Sequence, residues 1–317
     1  MSMGSAAANG DRRRGGRGDQ PMVPKAEFAS YYDRPILKPP GWKAPDIAGY
    51  FYLGGLAGGS AVMGALAEAT NRPALRRVGR LAASGGAVLS VLALVHDLGR
   101  PERFLNMLRV IKPTSPLSVG SWMIAPFSSL AGAAAVSEVL GVLPKAGSAA
   151  GAASAVLGPA MTAYTAVLIS DTAVPAWHEG YREMPFVFAG SAVASAGAIG
   201  MMASPVDQAG PARRMAAIGG GMELASSTVM ERRLGMVGEP YHQGRSGMLM
   251  RAAKLLTAAG SAGALLGRRS RVLSALSGAA LTAGAFCTRF GIFEAGVASA
   301  KDPKYTVVPQ RRRLAGS

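Results

Sequence analysis

LAASGGAVLSVLALV, residues Leu81 to Val95, runs without a charge and then breaks into HDLGRPERF, His96 to Phe104. The block it closes, Leu75–Val95, is close to the roughly 20 residues that cross a bilayer core as a helix. Pro101 enforces the stop, because proline has no amide donor and cannot continue a helix. The stretch reads as one membrane helix delivering a dense polar cluster to a bilayer surface.

The same pattern recurs outward from it. Eight apolar blocks span roughly Asp46–Glu68, Leu75–Val95, Ser118–Leu140, Gly147–Ile169, Pro185–Ala203, Arg213–Val229, Leu249–Leu266 and Val272–Phe290. The sixth is the weakest, with Gly219, Gly220, Gly221 and Glu223 inside it. Only 16% of the 317 residues are charged and 49% are hydrophobic, where a soluble protein is about a quarter charged. Mean hydropathy is +0.22. These features predict an all-α polytopic membrane protein with eight transmembrane helices, and an even number returns both termini to one face.

The net charge of +16 does not indicate a nucleic-acid partner. The arginines lie in the tails (Arg12, Arg13, Arg14, Arg17, Arg311, Arg312, Arg313) and in short gaps such as Arg76, Arg77 and Arg80. Loop arginines beside spans are a topology signal and meet anionic lipid head groups. DRRRGGRGD, near the N-terminus, lacks the apolar segment of an export signal. Trp42, in a Pro-rich segment, reads as an interfacial anchor. Cys287 is the only cysteine, which excludes an internal disulfide and a self-ligated iron–sulfur cluster. The three histidines, His96, His178 and His242, sit at block ends or in loops, which excludes the paired axial ligands of haem b. No metal of its own is expected.

The mixed-charge loops all fall on the terminal face: His96–Trp122, Ser170–Pro185, Met230–Gly247 and the C-terminal tail. Such a face docks a partner protein or lines a water-filled entry. His96 and Asp97 have two readings, a helix-end cap or a proton-exchange pair titrating near neutral pH. Arg100, Glu102 and Arg103 are assigned to the partner or to the loop. Tyr164 and Asp171 share a helix face at i and i+7, and Tyr164 is either an interfacial aromatic or a donor to a carbonyl oxygen. Glu223 and Arg289 lie at membrane depth, where charge is costly. They form either a structural pair or a proton relay. Glu68 and Glu138, near the opposite face, are expected to be solvated. GGLAGG, Gly54 to Gly59, sets two glycine pairs at i,i+4, for close helix approach or to make room for a flat ring.

HDLGRPERF, GGLAGG, TSPLSVGSW (Thr114 to Trp122) and SDTAVPAWHE (Ser170 to Glu179) together resemble the NrfD/polysulfide reductase membrane-subunit family, over about Pro45 to Lys304. The resemblance implies a haem-free, quinone-reactive subunit with its eight helices arranged as two four-helix bundles. The expected division is 1–44 a flexible tail and interfacial segment, 45–170 the first bundle with the quinone site, 171–300 the second bundle, and 301–317 a basic tail. It implies menaquinone or ubiquinone, menaquinone first, a ferredoxin-type iron–sulfur partner and a molybdopterin catalytic partner. The termini would face outward across the cell membrane. Carried over by motif, the quinone pocket lies between Gly55, His96, Asp97 and Tyr164, roofed by the Trp122 and Asp171 segments. Where some relatives carry Asn and His on the first span, this chain has Tyr50 and Tyr52. A secondary transporter or proton channel, and a non-catalytic anchor, are the alternatives.

Overall fold

The structure, a computed structural model, describes residues 36–98, 101–267 and 269–316. The tail expected over 1–44 lies outside the described residues up to residue 35, as do Arg100 and the Arg103 side chain. Among the described residues the chain is helical, with no strand.

Eight long helices coincide with the eight apolar blocks: α1 (Ala44–Ala69), α2 (Pro73–Asp97), α3 (Pro116–Leu140), α4 (Pro144–Ser170), then α6 (Met184–Ala203), α7 (Gly210–Leu234), α8 (Gly244–Leu266) and α9 (Arg271–Lys301). A short α5 (Pro175–His178) precedes α6, and the basic tail forms α10 (Lys304–Gly316). Two 3₁₀ segments, Pro101–Leu108 and Gly235–Tyr241, follow α2 and α7. Helices α1 to α7 each begin with a proline in the first turn, where its missing N–H costs nothing. At the start of α9, the Ser270 side chain accepts from the Leu273 amide at 3.2 Å, a helix N-cap.

Six of these helices, α1, α2, α3, α4, α6 and α9, are long and apolar enough to cross a membrane. The chain is a multi-pass membrane protein. The other two fall short for a readable reason: α7 carries Arg213, Arg214 and Glu223, and α8 carries Arg245, Arg251 and Lys254.

Helix α1 packs on α2, α4, α6 and α9; α3 packs on α2 and α4; α6 and α8 each pack on α7 and α9. GGLAGG explains the central place of α1. A Cβ on Gly58 would stand 2.6 Å from the Gly158 carbonyl oxygen of α4, and one on Gly59 2.8 Å from the Ala192 carbonyl oxygen of α6. Gly54 faces Ser90 of α2. The four glycines, with Gly55 against α6 and α9, thus admit four neighbours, not one, because adjacent helix positions point about 100° apart.

The charged loops gather at one end of the stack. Trp177 Nε1 donates to Ile292 O at 2.8 Å, and the Tyr241 hydroxyl to Ala176 O at 2.9 Å. Arg233 forks onto both oxygens of Glu183 at 2.6 and 2.7 Å. Arg313 pairs with Glu179, and Lys304 with Glu239 at 3.1 Å. The other end is held by short contacts such as Arg72 Nη1 to Asp207 O, 2.8 Å, and Arg271 Nη1 to Ser204 O, 2.7 Å.

Candidate functional site

The terminal end of α1 to α4 contains a cavity of about 330 Å³. Its walls come from Ile47, Tyr50 and Phe51 of α1, Leu94 and Asp97 at the end of α2, Met107 of the first 3₁₀ segment, Pro116 and Leu117 opening α3, and Leu168 of α4. Trp42 covers it from the chain entering α1, and Asp171 and Thr172 stand where the chain leaves α4. The volume falls at the low end of small-molecule pockets, roughly 300–1,000 Å³. Two carboxylates, Asp97 and Asp171, therefore stand in an otherwise mostly apolar wall.

Local chemistry fixes the roof. Asp97 Oδ1 accepts the Lys43 backbone amide at 3.0 Å, which ties the entering segment across the end of α2. Trp42 stacks on the buried Trp177 at 5.9 Å between ring centres and 18° between planes. Pairs of this kind contribute about 0.5–1.5 kcal/mol beyond burial. Tyr50 is buried beside Tyr164.

Residues 41–218 match the family model for polysulphide reductase, NrfD. The chain belongs to the NrfD family. No curated protein matches it. The family match covers the whole cavity and ends within α7, before Glu223.

Of the residues expected to frame a site in this NrfD-family chain, Asp97 and Asp171 line the cavity. Tyr164 stands one residue behind it, its ring against Gly120 of α3, where any side chain would collide with it. Trp122 does not reach the cavity; its indole donates to Val110 O at 3.3 Å and braces the loop into α3. His96 points elsewhere. Its ring is 71% exposed and its Nδ1 lies 2.8 Å from Asp46 Oδ2 on the first turn of α1. Consecutive residues on a helix do not face each other, so His96 and Asp97 serve different neighbours. Gly55 is at the junction of α1 with α6 and α9, where a Cβ would stand 3.1 Å from Ala192 Cβ and 3.3 Å from Arg289 Nη2. Protein atoms fill the room a flat ring would need there. Tyr52 faces away from Tyr50, edge-on to Phe286 of α9.

Trp42, Met107 and Leu168 carry the cavity without having been singled out for it. The readable signal was the aromatic entry segment; the 3₁₀ segment and its Met107 gave none.

Glu68 and Glu138 are not simply solvated. Arg80, 6% exposed, donates to Glu138 Oε2 at 2.8 Å and to Glu68 Oε2 at 2.8 Å. Arg76 forks onto both oxygens of Glu138 at 3.1 Å, and Ser148 donates to Glu68 at 2.5 Å. Arg76 and Arg80, at i,i+4, present one basic face of α2 to α1, α3 and α4, and this network closes the end of those helices opposite the cavity.

Glu223 and Arg289 are both buried, and no ion pair joins them directly among the described residues. Glu223 Oε1 accepts from Thr288 at 2.5 Å. Arg289 Nη2 donates to Phe188 O at 2.8 Å, with the guanidinium 3.8 Å over the Phe188 ring. Glu223 Oε2, Arg289 Nε and Arg289 Nη1 have no partner.

Outside the helices of the membrane, hydrogen bonds from Arg233 hold the Glu183 carboxyl below its ordinary range. Lys304 and Tyr305 do the same to Glu239.

Proposed function

We propose that the chain is the quinone-reactive membrane subunit of a multi-subunit oxidoreductase, with its quinone site in the cavity at the terminal end of α1 to α4. The observation that carries this reading is a mostly apolar cavity of about 330 Å³ with two carboxylates in its wall. It lies in a family whose printed description is polysulphide reductase. A quinone supplies paired electron and proton transfer in an apolar phase. The volume suits a head group, with the isoprenoid tail left to the bilayer. Menaquinone fits the aromatic roof, because its fused ring offers more face to Trp42 and Phe51.

In this reading the chain's own residues bind, orient and exchange protons. Trp42 and Phe51 hold the flat ring, and Leu94, Leu117 and Leu168 keep water from it. Asp97 and Asp171 take protons from, or give them to, interfacial water. Asp97 also anchors the roof through the Lys43 amide, so the proton-exchanging group and the entry segment share one contact. His96, paired with exposed solvent and Asp46, serves as a proton antenna beside the mouth.

All eight long helices span the membrane in two four-helix bundles, α1 to α4 and α6 to α9. Helices α7 and α8, of 25 and 23 residues, are long enough; Glu223 is buried, Lys254 pairs with Glu231, and Arg213, Arg214 and Arg245 lie near the helix starts, where long basic side chains reach the interface. The charged terminal end docks a ferredoxin-type iron–sulfur subunit, itself joined to a molybdopterin catalytic subunit. The termini face the outer side of the cell membrane.

Asp97→Asn in the assembled complex tests the site. Quinone-coupled turnover is expected to fall roughly 10²-fold, the low end for loss of a general acid–base group, with all subunits still present. Unchanged turnover in an intact complex removes Asp97 from the mechanism. Inhibition by quinone analogues separates the reading from a non-catalytic anchor.

A further inference from the structure

A second site lies among α6 to α9, away from the quinone cavity. Glu223 of α7 borders a small cavity of about 10 Å³, walled also by Ser227, Met250, Lys254, Thr257 and Thr288. A void of that size holds about one water, provided two or more polar groups face it. Here Glu223 Oε2 and Thr257 Oγ1 are buried without a hydrogen-bond partner, and both residues line the void. An unpartnered buried carboxylate oxygen is costly unless something polar meets it.

Lys254 connects the void to the terminal end. Its side chain lines the cavity while its Nζ bonds Glu231 Oε2 at 2.5 Å. Glu231 Oε2 in turn stands 3.6 Å from Nε2 of His242, whose ring is 58% exposed. Glu231 Oε1 is another buried oxygen without a partner. A connected series therefore joins the exposed His242 to the buried Glu223 by way of Glu231, Lys254 and the void. The charged groups around Glu223 are Lys254 from α8 and Arg289 from α9; α6 offers only the Ser191 hydroxyl.

We propose that this series is a proton-access path from the terminal end to Glu223. A proton taken up at His242 Nε2 passes to a Glu231 oxygen. Lys254 Nζ releases a proton into the cavity water and regains one from Glu231. The water then protonates Glu223 Oε2 and loses its original proton. Each hand-over breaks one N–H or O–H bond and forms another, so one proton moves and no oxidant or reductant is needed. Arg289, with two guanidinium nitrogens lacking a hydrogen-bond partner, supplies positive charge from the α9 side of Glu223. The inference rests on α7 and α8 lying within the membrane and is independent of where the quinone binds.

The test uses the whole complex in vesicles. Cys287, the only cysteine of the chain, is replaced by Ser, and Ser227→Cys then places the single thiol in the cavity wall. Ag⁺, a small thiol-reactive cation that follows water, is added from either side, and remaining thiol is counted with maleimide after unfolding. Reaction is expected from the side carrying the C-terminus only, slowed at least tenfold by Lys254→Met. Ser60→Cys, buried at the α1–α2 contact, should stay unreactive. No reaction at Ser227→Cys, or equal rates from both sides, overturns the path. Quinone turnover of the same preparations is read in parallel. Its loss with Ag⁺ access retained would count against the quinone site alone.

Discussion

Two buried arginines show how differently the halves of this molecule handle charge. Arg80, at the closed end of α1 to α4, is matched by Glu138 and Glu68, each at 2.8 Å. Arg289, in the middle of α9, has one carbonyl partner and an aromatic face, and two of its nitrogens are bare. A satisfied buried ion network locks helices together. An unsatisfied one calls for water or a mobile proton. The first half therefore separates its tasks, with ionic closure at one end and an apolar cavity at the other. Among α6 to α9 the polar groups Glu223 and Arg289 are instead buried between the helices, beside a cavity of only about 10 Å³, and a larger cavity of about 350 Å³ lies at the charged end against α5 and α10.

The largest expected effect follows from Arg80. Arg80→Met leaves Glu68 without its countercharge and Glu138 with Arg76 alone, and breaking a buried pair this way costs about 3–5 kcal/mol. Thermal unfolding of the detergent-solubilised complex should show a large drop. Glu223→Gln changes a carboxylate that has no direct ion pair and whose Oε1 accepts from Thr288 at 2.5 Å, so its cost should stay about 1 kcal/mol. Equal losses in the two variants would erase the contrast between the halves.

Next comes the roof of the cavity. Trp42→Ala removes the stack on Trp177 and one wall of the site. The apparent KM for quinone should rise about tenfold, about 1.4 kcal/mol, with a smaller change in kcat. Phe286→Ala, on the α9 side of Tyr52, should leave KM unchanged; a matching rise there would place the site between the halves.

The smallest effect is acid loosening at the joint between α7 and the loop before α6. Glu183 has its carboxyl lowered by the Arg233 hydrogen bonds. A depressed carboxylate stabilises the fold above its unfolded value of 4.5, and the contribution is lost as pH falls through the lower folded value. Amide exchange over residues 179–184 should rise below about pH 4, and Glu183→Gln should show the faster exchange already at neutral pH.

The contrast also explains what the sequence made legible. Eight apolar blocks became eight long helices because their periodicity and length are local properties. Helix ends were less readable. Block eight was expected to stop at Phe290, yet α9 runs to Lys301, because Arg289 is buried and does not mark a helix end. The partners of charges lie far away in the chain: Asp46 is 50 residues from His96, and Glu138 is 58 from Arg80. No local pattern predicts such pairings. Two details were within reach. His96 and Asp97 could not share a face, and Gly54 and Gly55 could not serve one neighbour.

The central claim, that the quinone site is the cavity roofed by Trp42, is tested most directly by photolabelling the intact complex with an azido-menaquinone and mapping the adducts by mass spectrometry. Labels are expected on residues 42–51, 94–98, 107–117 and 168–172, and excess unmodified menaquinone should suppress them. Suppressible labels confined to α6, α7, α8 and α9 would contradict it.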